Sequence, residues 1–286
     1  MPESGSRLSL ARCGAGLFIA AALAVGATAY VAVDGMNRAR ADQQARTAAV
    51  ETTALQQALT SRLQGLRRQV RAFAAETETV RVVQDGDTLA LRAREQEIAR
   101  LIPGATRVSL TVAGRELPPA GPFPQLGFAD LELIARMETD SEPPLEVHLF
   151  QSPEQHFDIV AAVRAPRGDR SLAGSLLVSF DLDQIQAPLR DLRLAAGYAE
   201  LQQALGDGGM LVLARTSGQA ASQTAPWEIA LEGTRWRLSY WPLPAGRPAG
   251  FATLLITAGA ALALMALAIY GGFALLARGL RRDLCT

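Results

Sequence analysis

Hydrophobic and polar positions are arranged in three ways along this chain, and each arrangement predicts a different kind of element. From Cys13 to Val33 the chain reads CGAGLFIAAALAVGATAYVAV, 21 residues without a charge between Arg12 and Asp34. At about 1.5 Å per residue such a helix reaches across a hydrocarbon core of about 30 Å. A second uncharged run, Pro248–Ala277, lies between Arg247 and Arg278 and is long enough to span with some tilt. Both are predicted to be transmembrane helices. The first has a rival reading as a cleaved signal peptide, because Arg7 and Arg12 make a basic start and Ala27-Thr28-Ala29 fits a small-x-small cleavage site. Its apolar run is longer than a usual signal core, which favours an uncleaved anchor.

The second arrangement is a helical stripe. Leu55, Leu59, Leu63, Leu66, Val70 and Phe73 step by three or four, with Arg62, Arg67, Arg68 and Arg71 between them. Pro is absent from Arg38 to Glu76, so a long stalk helix is predicted there. The stripe must be buried, either on the chain's own domain or against the same helix of a second subunit. The reading leans slightly to the stalk dimer. A second helix is expected from Asp87 to Ile102, entered through Asp85-Gly86-Asp87 and stopped by Pro103-Gly104.

After Gly104 the period shortens to that of strands. Thr106–Val112, Leu145–Phe150, His156–Val163, Ser171–Phe180, Tyr198–Leu205, Gly209–Arg215, Pro226–Leu231 and Thr234–Trp241 read as strands. Gly114–Pro124 reads as a loop and Gln151–Gln155 as a hairpin turn. Gly127–Glu138 reads as a helix with Phe128, Leu131, Ile134 and Ala135 on one face, and a short helix follows from Asp183 to Leu192. This order predicts an α+β domain on an antiparallel sheet. The expected organisation is a tail (1–12), a first span (13–33), a stalk and second helix (34–104), an α+β domain (105–247), a second span (248–277) and a tail (278–286).

Charge orients the spans and removes several chemistries. All 28 basic residues are Arg, matched by 28 acidic ones. Without Lys, neither a P-loop nor a Schiff base is available. A neutral chain also lacks the basic face that nucleic acid requires. Arg7 and Arg12 precede the first span, and Arg38, Arg40 and Arg46 follow it, which leaves that helix ambiguous. Arg278, Arg281 and Arg282 after the second span decide for both termini in the cytoplasm, with residues 34–247 outside. In a bacterium this is a multi-pass inner-membrane protein with a periplasmic domain. Cys13 and Cys285 both fall outside that domain, so it has no disulfide.

A long helix rising from a first span, an α+β sheet domain and a return through a second span resembles the Cache (PAS-like) extracytoplasmic sensor domains of bacteria. The wording of residues 127–138 (GFADLELIARME), 146–160 (EVHLFQSPEQHFDIV) and 174–181 (GSLLVSFD) resembles the membrane-anchored N-terminal extension that precedes some bacterial phosphomannomutase/phosphoglucomutase enzymes. That resemblance implies a catalytic domain beyond the second span. The family's Thr-x-Ser-His-Asn-Pro motif is absent, and Gln151-Ser152-Pro153 is only a partial echo of it. The chain is therefore expected to be non-catalytic and to need no cofactor.

Candidate chemistry is sparse. The two histidines, His148 and His156, fall on adjacent predicted strands near the turn, with Asp158 close by. Together they make a candidate ligand-binding or pH-sensitive site. The plainer reading is two half-exposed strand residues. A metal site would need a third and usually a fourth ligand, and no metal is assigned. Ser152 and Ser175 lack the G-x-S-x-G setting of a hydrolase nucleophile. Arg107, Arg164 and Arg215 are candidate anion clamps. The aromatics Trp227, Trp236, Tyr240 and Trp241 read either as a ligand-stacking wall or, for Tyr240 and Trp241, as membrane-interface rings, a reading preferred for Trp241; Trp236 is placed in the core.

Two readings stay open. One is a membrane-anchored sensor-like module for a small periplasmic ligand, the non-catalytic part of, or partner to, a phosphohexomutase. The other is a structural anchor and dimerisation module with no ligand. The partners expected are the lipid bilayer, a second subunit through the stalk, and a small ligand. A polar cavity of roughly 300 Å³ or more within the sheet domain would favour the first.

Overall fold

The structure is a computed structural model. It describes residues 4–139, 143–148, 155–165, 171–195, 197–206, 208–219, 226–243 and 259–272, with side chains from residue 23 onward. The chain forms two compact units, Met1–Ala45 with Pro244–Thr286, and Arg46–Leu243. One helix, α1 (Ser4–Ala75), contributes residues to both.

The first unit is helical wherever it is described: α1 through Ala45, and residues 259–272. Its apolar side chains are turned outward. Leu23, Tyr30, Leu264, Leu267 and Tyr270 are all exposed, the two latter leucines at 67%. Among the described residues no helix is long and apolar enough to cross a membrane. The expected spans extend further than that description, since the side chains of 13–22 and the whole of 248–258 and 273–277 lie outside it.

In the second unit the stalk stripe is buried within the chain. Leu55, Leu59, Leu63, Leu66 and Val70 are nearly inaccessible and belong to one core with Leu201, Leu238 and Tyr240. The slight lean toward a stalk dimer is therefore corrected: the seam is already covered by the protein's own sheets. Polar contacts pin the same helix. Glu51 accepts from the Tyr240 hydroxyl at 2.7 Å and from Ala195 N–H at 2.6 Å, and Arg67 donates to the Gly233 carbonyl at 2.7 Å.

The helix does not run straight into the sheet. It breaks at Glu76, and α2 (Thr77–Asp85) and α3 (Thr88–Leu101) follow. The short α2 was not legible in the sequence, because TETVRVVQD continues the helical pattern. Val80, Val82 and Val83 turn it onto the core. Gly86, at φ +66°, caps α2 in a conformation that suits Gly, and Asp87 caps α3 by accepting from Ala90 N–H at 2.8 Å. The buried Arg94 ties the break together by donating to Thr79, Glu97 and Glu76.

The remaining elements are β1 (Ala105–Val112), α4 (Phe128–Thr139), β2 (Val147–His148), β3 (His156–Arg164), β4 (Leu172–Asp181), α5 (Asp183–Asp191), β5 (Gly197–Ala204), β6 (Met210–Arg215), β7 (Trp227–Ala230) and β8 (Trp236–Pro242). The α+β class is as expected, with a long N-terminal helix and antiparallel pairing. The strands form two four-stranded sheets instead of one, in the orders β1-β4-β3-β2 and β6-β5-β8-β7. Both contain the same three-strand core, in which the first strand pairs with the last and the last with the penultimate. They differ in where the fourth strand attaches.

Two further expectations are corrected. Phe128 is 79% exposed, and α4 instead buries Asp130, Leu133, Ile134 and Met137, because Asp130 is drawn inward by an ion pair. Tyr240 is not at an interface with lipid; it is fully buried and bonded to Glu51. Trp236 is in the core as expected, and Trp241 is half-buried against the Tyr198 ring.

Candidate functional site

The first sheet is covered on both faces, and strand alternation decides which residues face which cover. On one face Phe157, Ile159, Ala161 and Val163 of β3, with Leu176, Val178 and Phe180 of β4, join the main core under the helices. On the other, Val160 and Leu177 meet Leu133 and Ile134 of α4 in a second small core. His156 and Asp158 share this α4 face with Val160, and Ser179 shares it with Leu177. The register places His148 directly opposite His156, and Asp158 opposite Ser179. A register shift between Ala105 and Arg107 sets Arg107 opposite Ser179, so Ala105 joins the main core while Arg107 turns to the α4 face.

Five polar side chains therefore converge between the sheet and α4. Arg107, His148, His156 and Ser179 come from strands, and Asp130 comes from the helix; all surround Asp158, which is buried. Arg107 donates to Ser179 Oγ at 2.9 Å and to the Gln125 carbonyl at 2.7 Å. It pairs with Asp130 Oδ2 at 2.8 Å and with Asp158 Oδ1 at 3.3 Å. The Ser179 hydroxyl also donates to Asp158 Oδ1. Gly127 N–H donates to Asp130 Oδ2 at 2.7 Å. Phe123, from the loop before α4, lies over both Arg107 and His156.

Asp158 Oδ2 differs from its twin oxygen. His148 Nε2 lies 3.2 Å and His156 Nε2 3.6 Å away, both within ion-pair reach. Among the described residues this buried oxygen has no hydrogen-bond donor. Burial pushes the Asp158 carboxyl up, but attraction to His148 and Arg107 and the Ser179 hydroxyl outweigh it and hold the value down at about 2. Burial lowers His148 too, yet the adjoining Asp158 leaves it raised overall. Asp130, His156 and Asp158 also bring one ligating atom each within 4.8 Å of one another, and all three are buried.

Two clefts bear on this geometry. One of about 10 Å³ opens at Asp158 and is lined also by Leu133, Leu145, Val160 and, from α1, Arg67 and Arg71. A larger one of about 330 Å³ lies between α5 and β6, lined by Gln155, Gln186, Arg190, Leu213 and Arg215. The size expected of an organic-ligand cavity is thus met away from the histidines.

No family model matches the chain, and no curated protein matches it. Solved structures do. The ligand-binding domain of the Pseudomonas fluorescens chemoreceptor CtaA, in complex with L-leucine, is 16% identical at a TM-score of 0.46, over 71% of this chain and 96% of that one. The periplasmic domain of Vibrio cholerae LuxQ is 11% identical at 0.43, over 68% and 100%. The ligand-binding domain of the Pseudomonas aeruginosa amino acid chemoreceptor PctB, in complex with L-Arg, is 14% identical at 0.43, over 79% and 98%. At these scores the likeness is partial and assigns neither a ligand nor a site residue to this chain.

The three candidate residues, His148, His156 and Asp158, are brought together, and the histidines are buried instead of half-exposed. The arginines part company. Arg107 enters the cluster, Arg164 sits exposed at the far end of β3 opposite Leu172, and Arg215 lies exposed in the other sheet. Ser175 is buried and bonded to Thr111 at 2.5 Å, and Ser152 lies outside the described residues. Sequence reasoning missed Asp130 and Ser179. Ser179 was within reach, since it shares strand parity with Ser175 opposite a charged partner. Asp130 was masked by the choice of the wrong apolar face of its helix.

Proposed function

We propose that this chain is a membrane-anchored, sensor-like module that holds a small cationic solute between its first sheet and α4. The observation that carries the reading is the state of Asp158: a buried carboxylate with one oxygen fully committed to Arg107 and Ser179 and the other without a donor. Leaving a buried acceptor unmade costs about 1–3 kcal/mol, more for a charged group, so such an oxygen has a use. The donor-less oxygen belongs to an ionised carboxylate, which suits a positive guest. Arg67 and Arg71 at the same cleft belong to α1, the helix that carries the first apolar run. A change at Asp158 would thereby reach the helix that leads to the bilayer.

In this proposal the uncharged runs 13–33 and 248–277 are the two spans, residues 34–247 are periplasmic, and both termini are cytoplasmic. The outward-facing Leu and Tyr side chains at the two ends support it, since a helix apolar all round needs an apolar medium. The chain itself is non-catalytic, and a phosphohexomutase is the proposed cytoplasmic partner, on the resemblance of residues 127–138, 146–160 and 174–181.

The full chain in detergent, stripped with chelator, tests the reading through its thermal midpoint. Methylamine, putrescine, ZnCl2, MnCl2 and CaCl2 are the probes. At least one is expected to raise the midpoint of the wild type and not that of Asp158→Asn. A wild type indifferent to all five, or a variant that responds equally, rejects it.

A further inference from the structure

We propose that the solute at this site is a single divalent transition-metal ion of the zinc class, ligated by Asp158, His156 and Asp130 with solvent completing the shell. The inference rests on the sensor reading above and names the chemical class of what that site holds.

Spacing is the first argument. In a tetrahedral shell with bonds of about 2.0–2.2 Å, neighbouring ligand atoms lie about 3.3–3.6 Å apart. The two imidazole Nε2 atoms stand 3.2 and 3.6 Å from Asp158 Oδ2, and the Asp130, His156 and Asp158 atoms fall within 4.8 Å of one another. The His156–Asp158 separation is already that of a polyhedron edge, and the remaining ligand atom would close in from no more than 4.8 Å as an ion enters.

The division of labour within each carboxylate is the second. Asp158 takes the Arg107 and Ser179 bonds on Oδ1, and Asp130 takes the Arg107 and Gly127 bonds on Oδ2. Each acid thus has one oxygen fixed by its surroundings. Outer partners of this kind orient metal ligands and hold them ionised. For Asp158 the other oxygen is the buried one without a donor.

Ligand type then selects the guest. A buried imidazole with two carboxylates suits zinc and its neighbours, whereas calcium and magnesium want six or more oxygens. No cysteine is needed.

The experiment uses the full chain carrying Cys13→Ser and Cys285→Ser, so that thiols cannot contribute. Purified in detergent and stripped with chelator, it is titrated with ZnCl2 against a chromophoric chelator, and retained metal is counted after gel filtration. One equivalent of zinc per chain is expected, undisturbed by excess MgCl2 or CaCl2. His156→Ala and His156→Gln are expected to lose stoichiometric binding. Ser179→Ala, which touches no metal, should weaken it about 10- to 100-fold. Far-UV circular dichroism confirms that each variant is folded. Substoichiometric zinc in the parent, or equal affinity in folded His156 variants, overturns the assignment. If zinc fails while putrescine or methylamine still raises the midpoint, the metal falls and the sensor reading stands; if every probe fails, both fall.

Discussion

The side-chain amide of Gln203 in β5 takes both backbone groups of Val147 in β2: Nε2 donates to the Val147 carbonyl at 3.0 Å, and Oε1 accepts from Val147 N–H at 2.7 Å. A carboxamide thereby stands in for the next strand along a two-residue edge. The Trp236 indole donates to the same Oε1 at 2.9 Å. Alongside, Leu145 exchanges backbone bonds with Gly233 and Arg235. The second sheet therefore holds the segment that ends in His148. Gln203→Ala would leave several buried polar groups unpaired at about 1–3 kcal/mol each. The expected result is a fall of several degrees in thermal midpoint, with weaker zinc binding even where the variant remains folded. A variant that melts and binds like the wild type would show that the second sheet does not position the site.

The stripe on α1 gives a second prediction. Leu66 is almost inaccessible and shares its core with both sheets. Leu66→Asp places a carboxylate there, which costs several kcal/mol against a total stability of about 5–15. Loss of the cooperative melt of the sheet-bearing unit is expected, as seen by circular dichroism. Should sedimentation instead show a dimer becoming a folded monomer with its melt intact, the stripe is an intersubunit seam after all.

Topology is testable without purifying anything. Reporter fusions after Thr286 are expected to score as cytoplasmic and fusions at Gly168 as periplasmic, because arginines cluster after the second apolar run. Both fusions scoring in one compartment would defeat the two-span proposal.

Periodicity made the elements legible, and long-range pairing limited the rest. The predicted strands from Thr106 to Trp241 have counterparts, Leu145–Phe150 only within its described residues, since turn residues mark off the apolar runs. That they sort into two sheets was not legible, because alternation describes a strand's faces and not its neighbours. His148, His156 and Asp158 were found together because they are close in sequence on strands that pair antiparallel; the predicted turn between them lies, up to Glu154, outside the described residues. Arg107 was noticed as a cation but not placed, because its partner Ser179 lies 72 residues away and a register shift turns it to the α4 face. Asp130 was lost to a misjudged helix face, where an ion pair outweighed the apolar pull of Phe128.

The last prediction concerns pH in the metal-free chain. His148 is held raised by Asp158, against the effect of its burial, and Asp158 is held down at about 2. Arg67, Arg71, Arg107, Asp130, Glu146 and His156 are the other charged or titratable groups at or near the pair. A raised histidine contributes stability that is fully present below its unfolded value, about 6.5, and is lost as pH rises through the folded value. A depressed aspartate contributes stability present above its unfolded value, about 3.9, and lost as pH falls through about 2. The pair therefore stabilises fully between about pH 4 and 6.5. With chelator present, the difference in thermal midpoint between wild type and His148→Gln should be largest near pH 5–6 and shrink toward pH 9. A difference that stays constant across that range would mean that His148 carries no proton for Asp158. With zinc bound the dependence should reverse, because the ion needs a neutral imidazole and binds more weakly as protons compete at low pH.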